Sequence, residues 1–208
     1  MMTMGDYLTE IEYAASSLIP IIWEERHRLQ KLEMEVASLT RLVEDNYRRA
    51  ASVAMNSEDA DDAAMAAGIY WENYFGDDKE RYHKDQDREK LANQIAAHAL
   101  SIGSLAGSLM QYAKQGISLA HGGLPACPNG RAIGSQFLKD VIWQGRNQAI
   151  HWEDGNPHPP VRQCFDKLKV DAAPAFADYT KRNMAVDVVE LLGWTDFAKF
   201  SADLLSLA

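Results

Sequence analysis

The sequence has few of the residues that hold small secreted or metal-built domains together. It contains two cysteines among 208 residues, Cys127 and Cys164, and no Cys-x-x-Cys pair. A disulfide framework is thereby excluded, and a zinc module is disfavoured. No run approaches the ~20 apolar residues that cross a bilayer, and the N-terminus carries acids where a signal peptide has basic residues. The sequence therefore predicts a cytoplasmic protein with no membrane segment.

Positive charge is also scarce, because 21 Lys and Arg stand against 30 Asp and Glu, a net charge of −9. Such a chain does not coat nucleic acid by bulk attraction, and no DNA partner is expected. The stretch from Arg131 to Lys169 is an exception, since its six basic and four acidic residues leave +2 there and −11 elsewhere. A local site for a small anionic group is predicted, with Arg131 and Arg162 as candidate substrate-binding residues.

Alternating β-branched runs are absent, and apolar residues recur at helical spacing almost throughout. We therefore predict an all-α helical bundle, a single domain over 1–208, with a long N-terminal helical hairpin and additional C-terminal helices. A polar insertion is expected at about 56–89 and one further helix at about 131–152. The two hairpin stripes are Leu29, Leu32, Val36, Leu39, Val43 and Leu91, Ile95, His98, Ile102, Leu105, Leu109, Tyr112.

Local signals set some helix ends. Thr9 and Glu12 fit a capping box near the start of the first helix. Pro20 lacks an amide hydrogen, so we expect a kink or break there. Gly155 and the prolines that follow it should end the helix at 131–152.

The richest chemistry lies near the end of that helix, in the segment WQGRNQAIHWEDGNPH. His151 can exchange protons near neutral pH. Arg146 offers a planar fork of donors that suits a phosphate, and Asn147, one turn before His151, can orient the ring or bind a phosphate oxygen. Trp152 either packs in the core or stacks on a base. These four residues are the candidate catalytic and substrate-binding groups.

One geometrical difficulty stands against this site. On an unbroken helix Arg146 and His151 point about 140° apart. They can serve one phosphate only if the helix unwinds near Ile150 or a second subunit supplies one of them. A purely structural role is the alternative, in which His151 caps the helix and Arg146 pairs with Glu153 or Asp154.

The run Arg146-Asn147-Gln148-Ala149-Ile150-His151 resembles the R-N-x-x-x-H form of the Rx4–6H signature of the HEPN family, all-α ribonuclease and nucleotide-binding domains. The resemblance implies a homodimer in which two motifs face each other. It also implies metal-independent RNA cleavage by 2′-hydroxyl attack, with no cofactor. His151 would be the general acid or base, Arg146 would stabilise the phosphorane charge and Asn147 would assist. Stress, toxin or phage-defence roles, with a partner protein encoded nearby, are typical of such domains.

The chain departs from many toxin members at Glu153, where they carry a modifiable tyrosine, so regulation by that route is not expected. Two other interpretations stay open. One is a non-catalytic HEPN-like bundle that binds a nucleotide, RNA or a protein. The other is a di-metal bundle, because Glu24 with His27 and Glu80 with His83 match a Glu-x-x-His pattern.

Overall fold

The computed structural model describes residues 2–55, 60–72, 75 and 78–208 of the chain. Helices dominate these residues, and the strands among them form one two-stranded antiparallel sheet. The prediction of an all-α protein is therefore confirmed. The elements are α1 (Met4–Met55), α2 (Ala60–Glu72), α3 (Asp78–His121), β1 (Ala132–Ile133), β2 (Gln136–Phe137), α4 (Leu138–His151), α5 (Pro159–Asp171), α6 (Ala185–Leu192) and α7 (Phe197–Leu205).

Contacts within the chain divide it into two compact units, residues 1–26 with 99–208, and residues 27–98. The 27–98 unit contains α2 and includes the expected insertion at 56–89. Leu29 and Ala66 are buried in it, whereas Trp71 and Phe75 are exposed and stack with their ring centroids 5.3 Å apart. Across the described residues, no helix is apolar for long enough to cross a membrane. The side chains of Val36, Leu39, Val43 and Leu91 lie outside the described residues.

The other unit is organised around a close contact between the start of α1 and the end of α3. The Tyr7 hydroxyl donates to the carbonyl of Tyr112 at 2.7 Å, and burial raises the pKa of Tyr7 to about 12, which keeps the hydroxyl protonated as a donor. Gly116 makes this approach possible, because a Cβ at that position would lie 2.8 Å from Cε1 of Tyr7. Ile102 and Leu109, from the second predicted stripe, are buried in the same core.

The first helix differs from prediction at its capping box and at Pro20. The capping box lies at Thr3 and Asp6 rather than at Thr9 and Glu12: Thr3 Oγ1 accepts from the Asp6 amide at 3.1 Å, and Asp6 Oδ2 accepts from the Thr3 amide at 3.3 Å. Thr9 is inside the helix, where its hydroxyl donates to the Gly5 carbonyl. Pro20 is also inside α1, which is not interrupted there.

The helix expected at 131–152 begins later, at Leu138, because a small hairpin precedes it. The chain reverses at Gly134, whose φ of 57° favours glycine. Asp171 holds this turn, since its Oδ2 accepts from the amide of Ser135 at 2.8 Å and from its hydroxyl at 2.6 Å. Two-residue strands are too short to show an alternating pattern, so sequence periodicity does not reveal them. The predicted end of the helix is confirmed, since Gly155 is left-handed at φ 65°.

Substituting Gly116 by alanine should lower the free energy of unfolding by about 1–3 kcal/mol, because the added methyl meets the hydrogen-bonded ring of Tyr7. The control is Gly68→Ala, a helical position with open space around it, where alanine should add up to about 1 kcal/mol of stability. Denaturant unfolding of both variants measures the two changes. Equal stabilisation by both substitutions would contradict the proposed contact.

Candidate functional site

Helix α4 carries the motif and runs without interruption from Leu138 to His151. The first departure from helical geometry is at His151 itself, with φ −120° and ψ 17°. The helix is therefore regular through Ile150 and leaves helical geometry at the residue after it. Within one chain, Arg146 and His151 leave the helix about 140° apart, and no contact joins their side chains in the described part of the chain.

Gln148 anchors the helix end between these two residues. Its side chain is buried, and its amide nitrogen donates to the carbonyls of Tyr179 and Arg182 at 2.8 and 2.7 Å. Its oxygen accepts from the amide of Met184 at 2.9 Å. All three bonds tie α4 to the connection before α6, so the orientation of Arg146 and His151 is fixed by the fold.

Arg146 faces α3 rather than a carboxylate. Its Nε donates to Oε1 of Gln111 at 2.6 Å, and its Nη1 donates to Oδ1 of Asn147 at 3.2 Å. The expected alternative, a pair with Glu153 or Asp154, is not found among the described ion pairs. Arg146 is half-buried, and both its partners are neutral amides.

Three other arginines of this unit have carboxylate partners, whereas Arg162, like Arg146, donates to neutral oxygens. Arg26 pairs with Glu190 at 2.7 Å, Arg131 with Asp203 at 2.7 Å, and Arg182 with Asp187 at 2.7 Å. Each of these guanidiniums meets a carboxylate through two nitrogens. Arg146 thus holds its charge next to α3 without the counter-ion that these three arginines have.

A second cation, Lys114, stands beside it and was not singled out from the sequence. Its Nζ lies 4.6 Å from the ring centroid of Trp143, a cation–π contact. Burial lowers the pKa of the Lys114 ammonium below its ordinary value, and the charge of Arg146 lowers it further. No carboxylate of a described residue lies within ion-pair distance of Lys114.

Asn147 connects the Arg146 side of the helix with the His151 side. Its Oδ1 accepts from Arg146, and its Nδ2 donates to Oε1 of Gln144 at 3.4 Å. The same residue lines the cavity that His151 lines. Asn147 is therefore placed to transmit the position of Arg146 to that cavity.

His151 stands at a small cavity of about 180 Å³ with Asn147, Trp152, Asn156 and His158 in its wall. Its side chain is 55% exposed, and Nδ1 lies 3.4 Å from Oδ2 of Asp154. The Asp154 carboxylate lies near Nδ1 without a hydrogen bond to it, and Nε2 has no hydrogen bond to a described residue. Asp154 is thus a functional candidate that the sequence interpretation had assigned to Arg146 instead.

The remaining predicted residues surround this cavity or lie away from it. Trp152 is half-buried and lines both the cavity and a larger groove of about 610 Å³ between α3 and the end of α4. Arg162 donates through Nε to the carbonyl of Pro157 at 2.8 Å and through Nη2 to Oδ1 of Asn156, so it holds the cavity wall. Arg131 is bound by Asp203 and by the Leu192 carbonyl at 2.8 Å. The structure thus joins Trp152 and Arg162 to the His151 cavity and places Arg131 in a separate ion pair.

No group of three or more His, Cys, Asp or Glu in the described part of the chain is arranged to hold a metal ion. Glu24 and His27 are within it, whereas the side chains of Glu80 and His83 lie outside it. The described residues therefore do not provide a ligand set for the di-metal interpretation.

Comparison with known proteins gives no match: no family model, no curated protein and no solved structure is significantly similar to the chain.

Replacing Gln148 by leucine should destabilise the protein by about 3 kcal/mol, because two carbonyls and one amide would be left buried without partners. The matched control is Gln115→Leu on the exposed face of α3, where a change within about 0.5 kcal/mol is expected. Thermal or denaturant unfolding distinguishes the two. A neutral Gln148→Leu would show that this amide does not anchor α4.

Proposed function

We propose that the protein is a metal-independent endoribonuclease of the HEPN type, acting in the cytoplasm as a homodimer. Its role would be in a stress, toxin or phage-defence response, with a partner protein encoded nearby. RNA would be the substrate. The proposal rests on the R-N-x-x-x-H resemblance together with the surroundings of its three residues.

One observation carries the proposal: Arg146 is a half-buried cation that neutral amides hold in place, and no carboxylate of a described residue is within ion-pair distance of it. A guanidinium without a counter-ion attracts an anion such as a phosphodiester. Asn147 joins it to the wall of the cavity where His151 presents an imidazole to solvent. A candidate anion-binding group and a candidate proton-transfer group therefore lie on the last turns of one helix, on sides about 140° apart.

The chemistry that these groups can perform is cleavage by the RNA itself. The 2′-hydroxyl attacks the adjacent phosphorus, the bond to the 5′-oxygen breaks, and a 2′,3′-cyclic phosphate and a 5′-hydroxyl result. His151 exchanges the proton with the attacking or the leaving oxygen, and the Asp154 carboxylate lies near Nδ1 of its ring. Arg146 stabilises the additional negative charge on the phosphorane.

A dimer supplies what one chain lacks. Because α4 is unbroken, Arg146 and His151 of one chain diverge by about 140°. In a twofold dimer each Arg146 can face the His151 of the partner, so that two such pairs form together.

The same divergence favours a second candidate, a HEPN-like bundle that binds RNA without cutting it. Such a protein would keep the anion site of Arg146 and would not need the imidazole. Cleavage and binding assays on one variant distinguish the two candidates.

His151→Ala should reduce cleavage of total RNA by about 10²–10⁴-fold, because the proton-transfer group is lost. The assay contains excess chelator, and the product ends should carry 2′,3′-cyclic phosphate. His27→Ala is the control, since it removes a histidine outside the motif that belongs to a candidate metal pair. Wild-type protein that binds RNA without cutting it would favour the binding candidate, and dependence on His27 and a metal would favour the di-metal one.

Mixing Arg146→Gln with His151→Ala protein should restore activity if each pair draws on two chains. Random exchange gives half heterodimers with one intact pair of two, so about one quarter of wild-type activity is expected. Each variant alone, and each mixed with itself, should stay inactive. No recovery after verified subunit exchange would contradict pairing across the dimer.

A further inference from the structure

Lys114 belongs to no motif, yet the fold brings it next to Arg146. We propose that Lys114 and Arg146 together hold one phosphodiester group, which makes Lys114 a second phosphate-binding residue of the site. The identity of the ligand as RNA rests on the proposed function, whereas the anion site itself follows from the contacts between α3 and α4.

Two measured contacts define the position of this pair. Gln111 of α3 accepts from Arg146 of α4 at 2.6 Å, and Lys114 of α3 lies 4.6 Å from the ring centroid of Trp143 of α4. On each helix the two residues are three positions apart, which puts them on one face about 5–6 Å from each other. The four side chains therefore form one patch, with the two cations at opposite corners.

The charge of this patch is not balanced. The two positive charges repel each other. The protein has an excess of acids, with a net charge of −9, yet no described carboxylate lies between these two cations. The lowered pKa of Lys114 has burial as its first cause and the Arg146 charge as its second, with no acid among its causes. A bound anion between the two cations would remove this repulsion.

A phosphodiester fits the arrangement because it offers two anionic oxygens to the two cations. Arg146 uses Nε and Nη1 for amides, and its Nη2 group has no hydrogen bond to a described residue. One phosphate oxygen can accept from Nη2 while the other meets the Lys114 ammonium, which has three donors. Lys114 is held over Trp143 by its stem and charge, so little freedom is lost when the phosphate binds.

The test measures binding of 2′-O-methyl oligouridine, which lacks the attacking hydroxyl and is not cleaved. Lys114→Gln should weaken binding about tenfold and should reduce the slope of log K against log salt by about 0.7, the value for one phosphate contact on a single strand. Lys114→Arg, which keeps the charge and the ring contact, should retain most of the affinity. Fluorescence anisotropy over a salt series gives both quantities.

Lys181→Gln is the matched control, because it removes one exposed lysine elsewhere that pairs with Asp178 at 3.2 Å. Equal weakening by both glutamine variants would reduce the effect to bulk charge and would overturn the proposal. An unchanged affinity and slope in Lys114→Gln, or no binding by the wild type, would also overturn it.

The outcome is independent of cleavage. Wild-type protein that cuts no RNA but binds the oligonucleotide through Lys114 would refute the nuclease proposal and support the anion site. RNA cleavage with the same kcat/KM in Lys114→Gln would support the nuclease proposal and refute the role of Lys114 in the anion site.

A second readout excludes a purely structural lysine. The pKa of the Lys114 ammonium, followed by NMR, should rise when Arg146 is replaced by glutamine, because a neighbouring positive charge is removed. It should also rise in wild-type protein when the oligonucleotide binds. A pKa that responds to neither change would contradict the shared site.

Discussion

The antiparallel approach of α3 to α4 positions every residue of the site. The approach is close at Gly145, where a Cβ would lie 2.9 Å from Cε of Met110, whereas a Cβ at Gly107 would meet that of Ala149 at an ordinary contact distance of 3.6 Å. At this separation a glutamine side chain spans from one helix to an arginine on the other, and a lysine reaches a tryptophan ring. Larger residues at the contact would move these groups out of reach of one another.

The carboxylates that form ion pairs with arginines lie away from the motif. Carboxylates neutralise the arginines that connect α1, α6, α7 and the hairpin, whereas neutral amides hold the arginine of the motif. Proteins break a local rule of this kind mainly where function needs it. An uncompensated guanidinium, a lysine beside it and an exposed imidazole with a carboxylate at Nδ1 all lie around the last turns of one helix. In the proposed function the first two would recognise an anion and the third would transfer a proton, so the two roles can be tested separately.

The sequence predicts the helical class well, because apolar spacing is a repeated signal along α1 and α3. The end of α4 is also predictable, since Gly155 and the prolines act locally. The hairpin before α4 is not, because two residues per strand carry no period. Lys114 is not predicted for another reason: only the register of α3 against α4 brings it to Trp143.

The contacts around α4 give a structural reason for nearly every letter of the segment GRNQAIH. Glycine is needed where Met110 and Val188 press on the helix, and alanine where Gly107 lies opposite. Glutamine is needed because neither glutamate nor lysine can both donate to two carbonyls and accept from an amide. Distant relatives of this chain should thus be sought with the seven-residue pattern GRNQAxH, in which only the isoleucine position is variable. Such a pattern is more specific than the arginine, asparagine and histidine alone, because each fixed residue has a structural reason in this fold.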